Sequence, residues 1–415
     1  MTNPQNTSPY DIVVYGATSF VGQILCRYLC NMYGADQGVR WALAGRSLSK
    51  LEALRKGLGE AAAKLDLIPV DAADEAGLRR MCCRTRTIVS TVGPYALYGE
   101  PLIKVCAELG TDYCDLTGEV HWIRRMIDRY GAAARTSGAR IVNCCGFDSI
   151  PSDLGVWFLQ REFQAAFGRV CPRVKLRVRA MRGGVSGGTV ASFLNILREA
   201  ESIPAVRKEL ANPYSLCVES ASDGVPQPET TGSTFDRDFN SWTAPFVMSG
   251  INTRIVHRTN ALLGYAYGSD FVYDESVLTG SGLRGWVRAS VISIGLRSFT
   301  YAPVRRLLQR FVLPKPGEGP GPLQQSRGFF DLRLLGLAEE GQSLRVKITG
   351  DGDPGYSSTA RMLGEAAICL TVDISRADCA GGFWTPAAVF GGSLLQRLQA
   401  KAGLSFELAE DREVR

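Results

Sequence analysis

At 415 residues the chain is too long for one compact core, and its 45% hydrophobic and 21% charged residues are those of an ordinary soluble globular protein. The net charge of +6 is only mildly basic, with no interleaving of aromatic and basic residues, so nucleic acid is not an expected partner. Twelve cysteines, adjacent at Cys82–Cys83 and Cys144–Cys145 and nowhere spaced C-x-x-C, exclude a disulfide framework, and two distant histidines, His121 and His257, exclude zinc.

The stretch Met1–Pro9 is polar and lacks an apolar core, so a secretory signal is not expected and a cytoplasmic location is. A short β-branched run, 11–15, then leads straight into Gly16-Ala-Thr-Ser19-Phe-Val-Gly22, and an apolar helix-compatible segment covers 20–32. This is the strand–turn–helix arrangement that holds a dinucleotide pyrophosphate. Gly16 lets the chain turn out of the strand, and N–H groups at the helix start face phosphates where the dipole favours negative charge. Gly22 lets the helix pack close to the sheet. Glycine turns are common, and position between strand and helix is what makes this one informative. The candidate cofactor contacts are Gly16, Thr18, Ser19, Phe20, Val21 and Gly22.

A second strand, 40–44, ends at Gly45-Arg46-Ser47. An NAD site usually places an acid here for the ribose hydroxyls. Arg46 stands instead, and a guanidinium fork suits the 2′-phosphate of NADP; the alternative is a solvated loop residue. Further strands are expected near 65–70, 87–91, 111–115 and 140–144, with helical stretches at 48–55 and 101–109. That alternation predicts an α/β protein whose residues 1–150 form a Rossmann-like doubly wound parallel sheet, with ligands at the carboxyl ends of its strands.

After the fourth strand, Thr91-Val-Gly93-Pro94-Tyr95-Ala-Leu-Tyr98 runs where ribose and nicotinamide lie. Gly93 and Pro94 are expected to approach the cofactor, and Tyr95 or Tyr98 to supply a hydroxyl near the reacting carbon. A plain Gly-Pro turn with partly buried tyrosines is the alternative. The loop 110–119 clusters Asp112, Asp115, Thr117 and Glu119, with helix capping the favoured role for Thr117 and Glu119. Cys145 has no histidine beside it in sequence, which argues against a nucleophile.

Residues 151–415 read as a second, α+β domain. The segments 174–180 and 344–348 alternate apolar and basic residues, as half-exposed antiparallel strands do. Arg182–Thr189 is a glycine-rich turn, either an anion cradle or a plain strand–helix junction. Residues 211–241 lack periodicity and are expected to form a long loop, 314–322 a break, and 359–370 a helix within the C-terminal helical region. Between Glu275 and Glu318 no acidic residue occurs, whereas Arg284, Arg288, Arg297, Arg305, Arg306, Arg310 and Lys315 do, among many apolar residues. This basic, apolar segment, 284–315, is too interrupted to span a bilayer. It suits peripheral contact with the inner face of the plasma membrane, an acidic carrier protein, or the protein's own core.

Together these segments resemble the saccharopine dehydrogenase-like oxidoreductases, and more closely their bacterial trans-acting enoyl reductase branch. The likeness rests on 15–22, 43–47, 91–95, 110–119, 145–154, 186–189, 252–263, 350–356 and 384–388, and covers nearly the whole chain. It implies an NADP-dependent enzyme that saturates an acyl (enoyl) thioester carried by a polyketide synthase, toward a glycolipid. Of the site residues it carries over only the loop Gly16–Gly22, where Ser19 replaces the family's usual glycine. Two other readings stay open: a lipid-associated binding protein that keeps a nucleotide fold, and a saccharopine-type imino-acid reductase. Oligomerisation is left open too.

Overall fold

The computed structural model describes residues 8–409, apart from 36–37, 185–186, 218–223, 300, 302, 306–320 and 322–326. The expected break at 314–322 apart from residue 321, Val185 and Ser186 of the glycine-rich turn, and Arg306, Arg310 and Lys315 of the basic segment lie outside the described residues. The described chain divides into two units, one of residues 1–146 with 359–397, the other of 147–358 with 398–415.

The first unit alternates strand and helix from its start. In chain order it holds β1 (Tyr10–Tyr15), α1 (Phe20–Tyr33), β2 (Trp41–Gly45), α2 (Leu48–Gly57), β3 (Leu67–Pro69) and α3 (Glu75–Cys82). Then come β4 (Thr85–Ser90), α4 (Tyr95–Tyr98), α5 (Glu100–Leu109), β5 (Asp112–Asp115), α6 (Val120–Ser137) and β6 (Arg140–Val142). All six strands are parallel, in the spatial order β6-β5-β4-β1-β2-β3. Strand order reverses between β1 and β4, so their carboxyl ends form the switch point where such sheets bind ligands. Ile12, Val13 and Val14 of β1 are fully buried, as a parallel strand covered on both faces requires.

The second unit opens with α7 (Ile150–Phe167), β7 (Arg173–Arg182), α8 (Gly187–Ser202), α9 (Pro204–Ala211), β8 (Thr234–Asp236) and β9 (Ser241–Pro245). It continues through α10 (Ser249–Leu262), β10 (Val272–Gly280), α11 (Gly282–Ser298), β11 (Phe329–Leu337) and β12 (Ser343–Asp351). The chain then passes through α12 (Ser357–Ile368), β13 (Gly382–Trp384) and α13 (Pro386–Lys401) to β14 (Leu404–Leu408). Its sheet runs β14-β12-β11-β7-β10-β9-β8.

Four features differ from the sequence reading. Residues 359–397 belong to the first unit, where β13 extends the parallel sheet beside β6, with Gly382 opposite Arg140. The second sheet is mixed: β7 pairs with β10 in parallel, because the long chain between them crosses over rather than turning back. In β7 the basic residues Lys175 and Arg177 are buried, while Arg179 stays exposed. Lys175 bonds Asp236 and Asp238, and Arg177 bonds Asp236 and Asp274 at 2.7–2.8 Å, so acids from β8, its turn and β10 cover the basic side chains. The expected loop 211–241 therefore ends in strand β8, a hairpin partner of β9.

Candidate functional site

The first loop is held by its own backbone and by the loop after β4. Gly16 has φ +85°, and a Cβ there would stand 2.7 Å from Val92 Cγ2 and 2.8 Å from Thr91 Oγ1. At Gly22 a Cβ would meet the Gly16 carbonyl oxygen at 2.2 Å. Neither position admits a side chain, which is what close approach of helix, sheet and phosphate demands. Ser19 caps α1, its Oγ accepting from the Gly22 N–H at 2.9 Å. The same Oγ lies 2.8 Å from Thr91 Oγ1, which donates to the Gly16 carbonyl at 2.9 Å. Thr18 and Ser19 of the turn and Phe20 and Val21 at the start of α1 are half-buried, and no acid stands in the first turn of α1. The cradle that a Cβ would fill, and a helix start without opposing charge, fit a pyrophosphate.

Arg46 follows β2 directly. It is exposed and, among the described residues, makes no hydrogen bond or ion pair. Ser47 caps α2 beside it, its Oγ 3.2 Å from Ser49 Oγ, and the first turn of α2 again lacks an acid. An unpaired guanidinium, two hydroxyls and a helix start thus follow β2 within four residues, groups whose chemistry fits a phosphate.

The two tyrosines of the β4 loop separate in the structure. The Tyr95 hydroxyl is buried; it donates to the Ser90 carbonyl at 3.0 Å and accepts from the Leu116 N–H at 3.2 Å. It ties the ends of β4 and β5 together, and both of these bonds are internal, so the expected donor role does not fit it. Tyr98, 49% exposed, keeps its ring toward solvent. The loop between β4 and α4 contains a cis Gly93–Pro94 bond, with Gly93 exposed two residues past Thr91.

Glu119 caps a helix, as expected, but the helix is α4. Its two carboxylate oxygens each accept one N–H, from Tyr95 and Ala96, at 2.8 Å. Thr117 Oγ1 accepts from the Glu119 N–H at 3.2 Å. Asp115 is buried at the end of β5, where loss of hydration pushes its carboxyl up to about 7 against donors from Thr117, Asn143 and Cys144. Cys145 is buried beside it, and burial raises its thiol well above the ordinary range, so it is no ready nucleophile. All twelve cysteines are free thiols. Among the described residues no group of His, Cys, Asp or Glu is placed to hold a metal ion.

In the second unit Asp353 clamps the start of the glycine-rich turn, accepting from Gly184 N–H at 2.7 Å and Gly355 N–H at 2.8 Å. Thr91 and Asp353 were not singled out as site residues by sequence. Thr91 was legible as the hydroxyl residue directly after β4. Asp353 was not, because its partner lies 169 positions away.

A parallel sheet with this glycine turn at its switch point is the architecture of a dinucleotide-binding oxidoreductase. Residues 12–142 match the saccharopine dehydrogenase NADP binding domain. A Mycobacterium tuberculosis relative is 40% identical over 414 residues, 96% of this chain and 97% of its own. The trans-acting enoyl reductases of Mycobacterium bovis and Mycobacterium ulcerans are 38% and 37% identical, each over 94% of this chain and 95% of their own. Apo saccharopine dehydrogenase (L-Glu forming) from Saccharomyces cerevisiae shares the fold, with TM-score 0.52 at 11% identity over 97% of this chain and 100% of that one. The chain belongs to the saccharopine dehydrogenase-like oxidoreductases, in the family of the trans-acting enoyl reductases.

Proposed function

We propose that this protein reduces the conjugated double bond of an enoyl thioester presented in trans by a polyketide synthase, in lipid or glycolipid assembly. The observation that carries the reading is full-length likeness to the enoyl reductases combined with an intact NADP loop. Bound there, NADPH would supply the hydride for the β-carbon of the thioester. Gly16 to Gly22 would hold the pyrophosphate, Arg46 the 2′-phosphate, and Gly93 and Pro94 would face the ribose and nicotinamide. As the β-carbon accepts hydride, negative charge builds on the thioester oxygen, and a hydroxyl donor lowers the barrier by bonding it there. Tyr98 is the exposed hydroxyl on this loop and takes that role; a proton from solvent then completes the saturated α-carbon.

The test is NADPH oxidation with an enoyl thioester on a carrier protein, beside an imino-acid mixture, with product masses read. Reduction of the imine alone would move the assignment to the saccharopine type. Tyr98→Phe lowers kcat more than it raises KM. Full turnover in that variant would place the donor elsewhere, for instance in the Asp148–Ser149 segment.

A further inference from the structure

Helix α11 is built inside out. Gly285, Ala289 and Ser293 recur at every fourth position and are buried. Their small side chains let the helix lie close on β9 and β10: a Cβ at Gly285 would stand 2.0 Å from the Gly280 carbonyl oxygen and 3.3 Å from the Trp242 ring. The opposite stripe is bulky and aliphatic. Leu283, Val287, Val291 and Ile294 are exposed by 74, 45, 64 and 67%. A helix on a globular core normally does the reverse. Beside the stripe lies a groove of about 730 Å³, lined by Phe239, Leu278, Val291 and Ile292 together with Arg179 and Arg288.

Charge selects the occupant. Arg284 and Arg288 stand on the same helix and, among the described residues, make no ion pair or hydrogen bond, and no acid occurs between Glu275 and Glu318. A second copy of this chain would set these guanidiniums against their duplicates. The partner must be apolar and anionic at once, and tolerant of a straight row of protruding side chains about 17 Å long, the helical rise from Leu283 to Ile294. No helix of the described residues is long and apolar enough to cross a membrane. We propose that α11 is a peripheral anchor for an anionic lipid surface. The aliphatic stripe sinks into the acyl boundary, and Arg284 and Arg288 meet lipid phosphates.

Flotation with phosphatidylglycerol-containing vesicles and with pure phosphatidylcholine vesicles, at low and high salt, tests this. The full-length protein floats with anionic vesicles, weakens in salt, and ignores neutral ones. R284A/R288A weakens partitioning about 30-fold, from ~1 kcal/mol per arginine at ~1.4 kcal/mol per tenfold. L283S/V291S/I294S abolishes it, and both variants keep the wild-type melting temperature and NADPH affinity. Should either variant fail to fold, Trp286 emission of the wild type, read against Trp286→Phe, still shifts to the blue with anionic vesicles only. Negligible binding to both vesicle types overturns the proposal. So does equal binding to both, dimerisation that the triple variant abolishes, or capture of an acyl carrier protein by this stripe in the absence of vesicle binding.

Discussion

Replacing Arg46 by alanine isolates cofactor choice from folding. Arg46 is exposed and bonded to nothing in the described structure, so its loss leaves the fold's own interactions intact. What it removes is a charge-assisted contact to the 2′-phosphate, a group NADH lacks. Such bonds are worth about 1.5–3 kcal/mol, and exposure to water and salt places this one near the lower end. The expected result is a rise of about 10–30-fold in the NADPH dissociation constant, the equivalent of ~1.5–2 kcal/mol, with NADH unchanged. Titration of both reduced cofactors by their fluorescence, on wild type and variant, measures it. Raising salt shrinks the difference, because the contact is screened. Equal losses for NADPH and NADH, or a wild type that prefers NADH, would refute the assignment of Arg46.

Three further outcomes follow from the first unit. Gly22→Ala puts a Cβ 2.2 Å from a backbone carbonyl that cannot rotate away, so NADPH binding is lost and the melting temperature falls; wild-type affinity in that variant would show that the loop does not hold the pyrophosphate. Asp112→Ala leaves Arg140 buried without its carboxylate, only carbonyls of Leu370 and Ile374 remaining, and costs about 3–5 kcal/mol in urea unfolding; a loss under about 1 kcal/mol would count against the pair. Asp115, pushed up to about 7 from 3.8 by burial, keeps a proton in the folded chain that the unfolded chain has released, so its contribution lowers stability as pH rises from about 4 to about 7, by at most ~1.4 kcal/mol per pH unit. Asp115→Asn removes that part of the slope, and identical pH profiles for the two proteins would contradict it.

The sheet of the first unit was legible because strand and helix patterns alternate along it, β1 and β4 as β-branched runs and each strand followed by a turn and a helix start. Expected and observed ends agree within a few residues from β1 to β6. β13 was not legible: three residues carry no period, and their partner β6 lies over two hundred positions earlier. Lys175 and Arg177 misled for a related reason. Alternation of apolar and basic residues signals an exposed face only when no acids arrive from elsewhere, and Asp236, Asp238 and Asp274 do arrive. At the candidate site, residue types and spacing placed the turns after β1, β2 and β4 but could not say which tyrosine hydroxyl is bonded internally. Tyr95 and Tyr98 are equally plausible in sequence, and only the Ser90 carbonyl and the Leu116 N–H distinguish them.

Ser19 shows why departure from the family's usual glycine need not weaken the site. As a residue of extended backbone, φ −67° and ψ 165°, it has no need of glycine's freedom. Its hydroxyl satisfies the Gly22 N–H, one of the donors that every helix start leaves over. It also reaches Thr91, and Thr91 in turn bonds the Gly16 carbonyl. The turn after β1 and the turn after β4 are thus fastened to each other by side chains. These are the two turns that flank the switch point, where a bound dinucleotide would meet both. Glu119 does the same for the far end of the β4 loop, fixing α4 through two backbone N–H groups. A cofactor meeting this surface finds its cradle already in shape, so less binding energy is lost to ordering the loops.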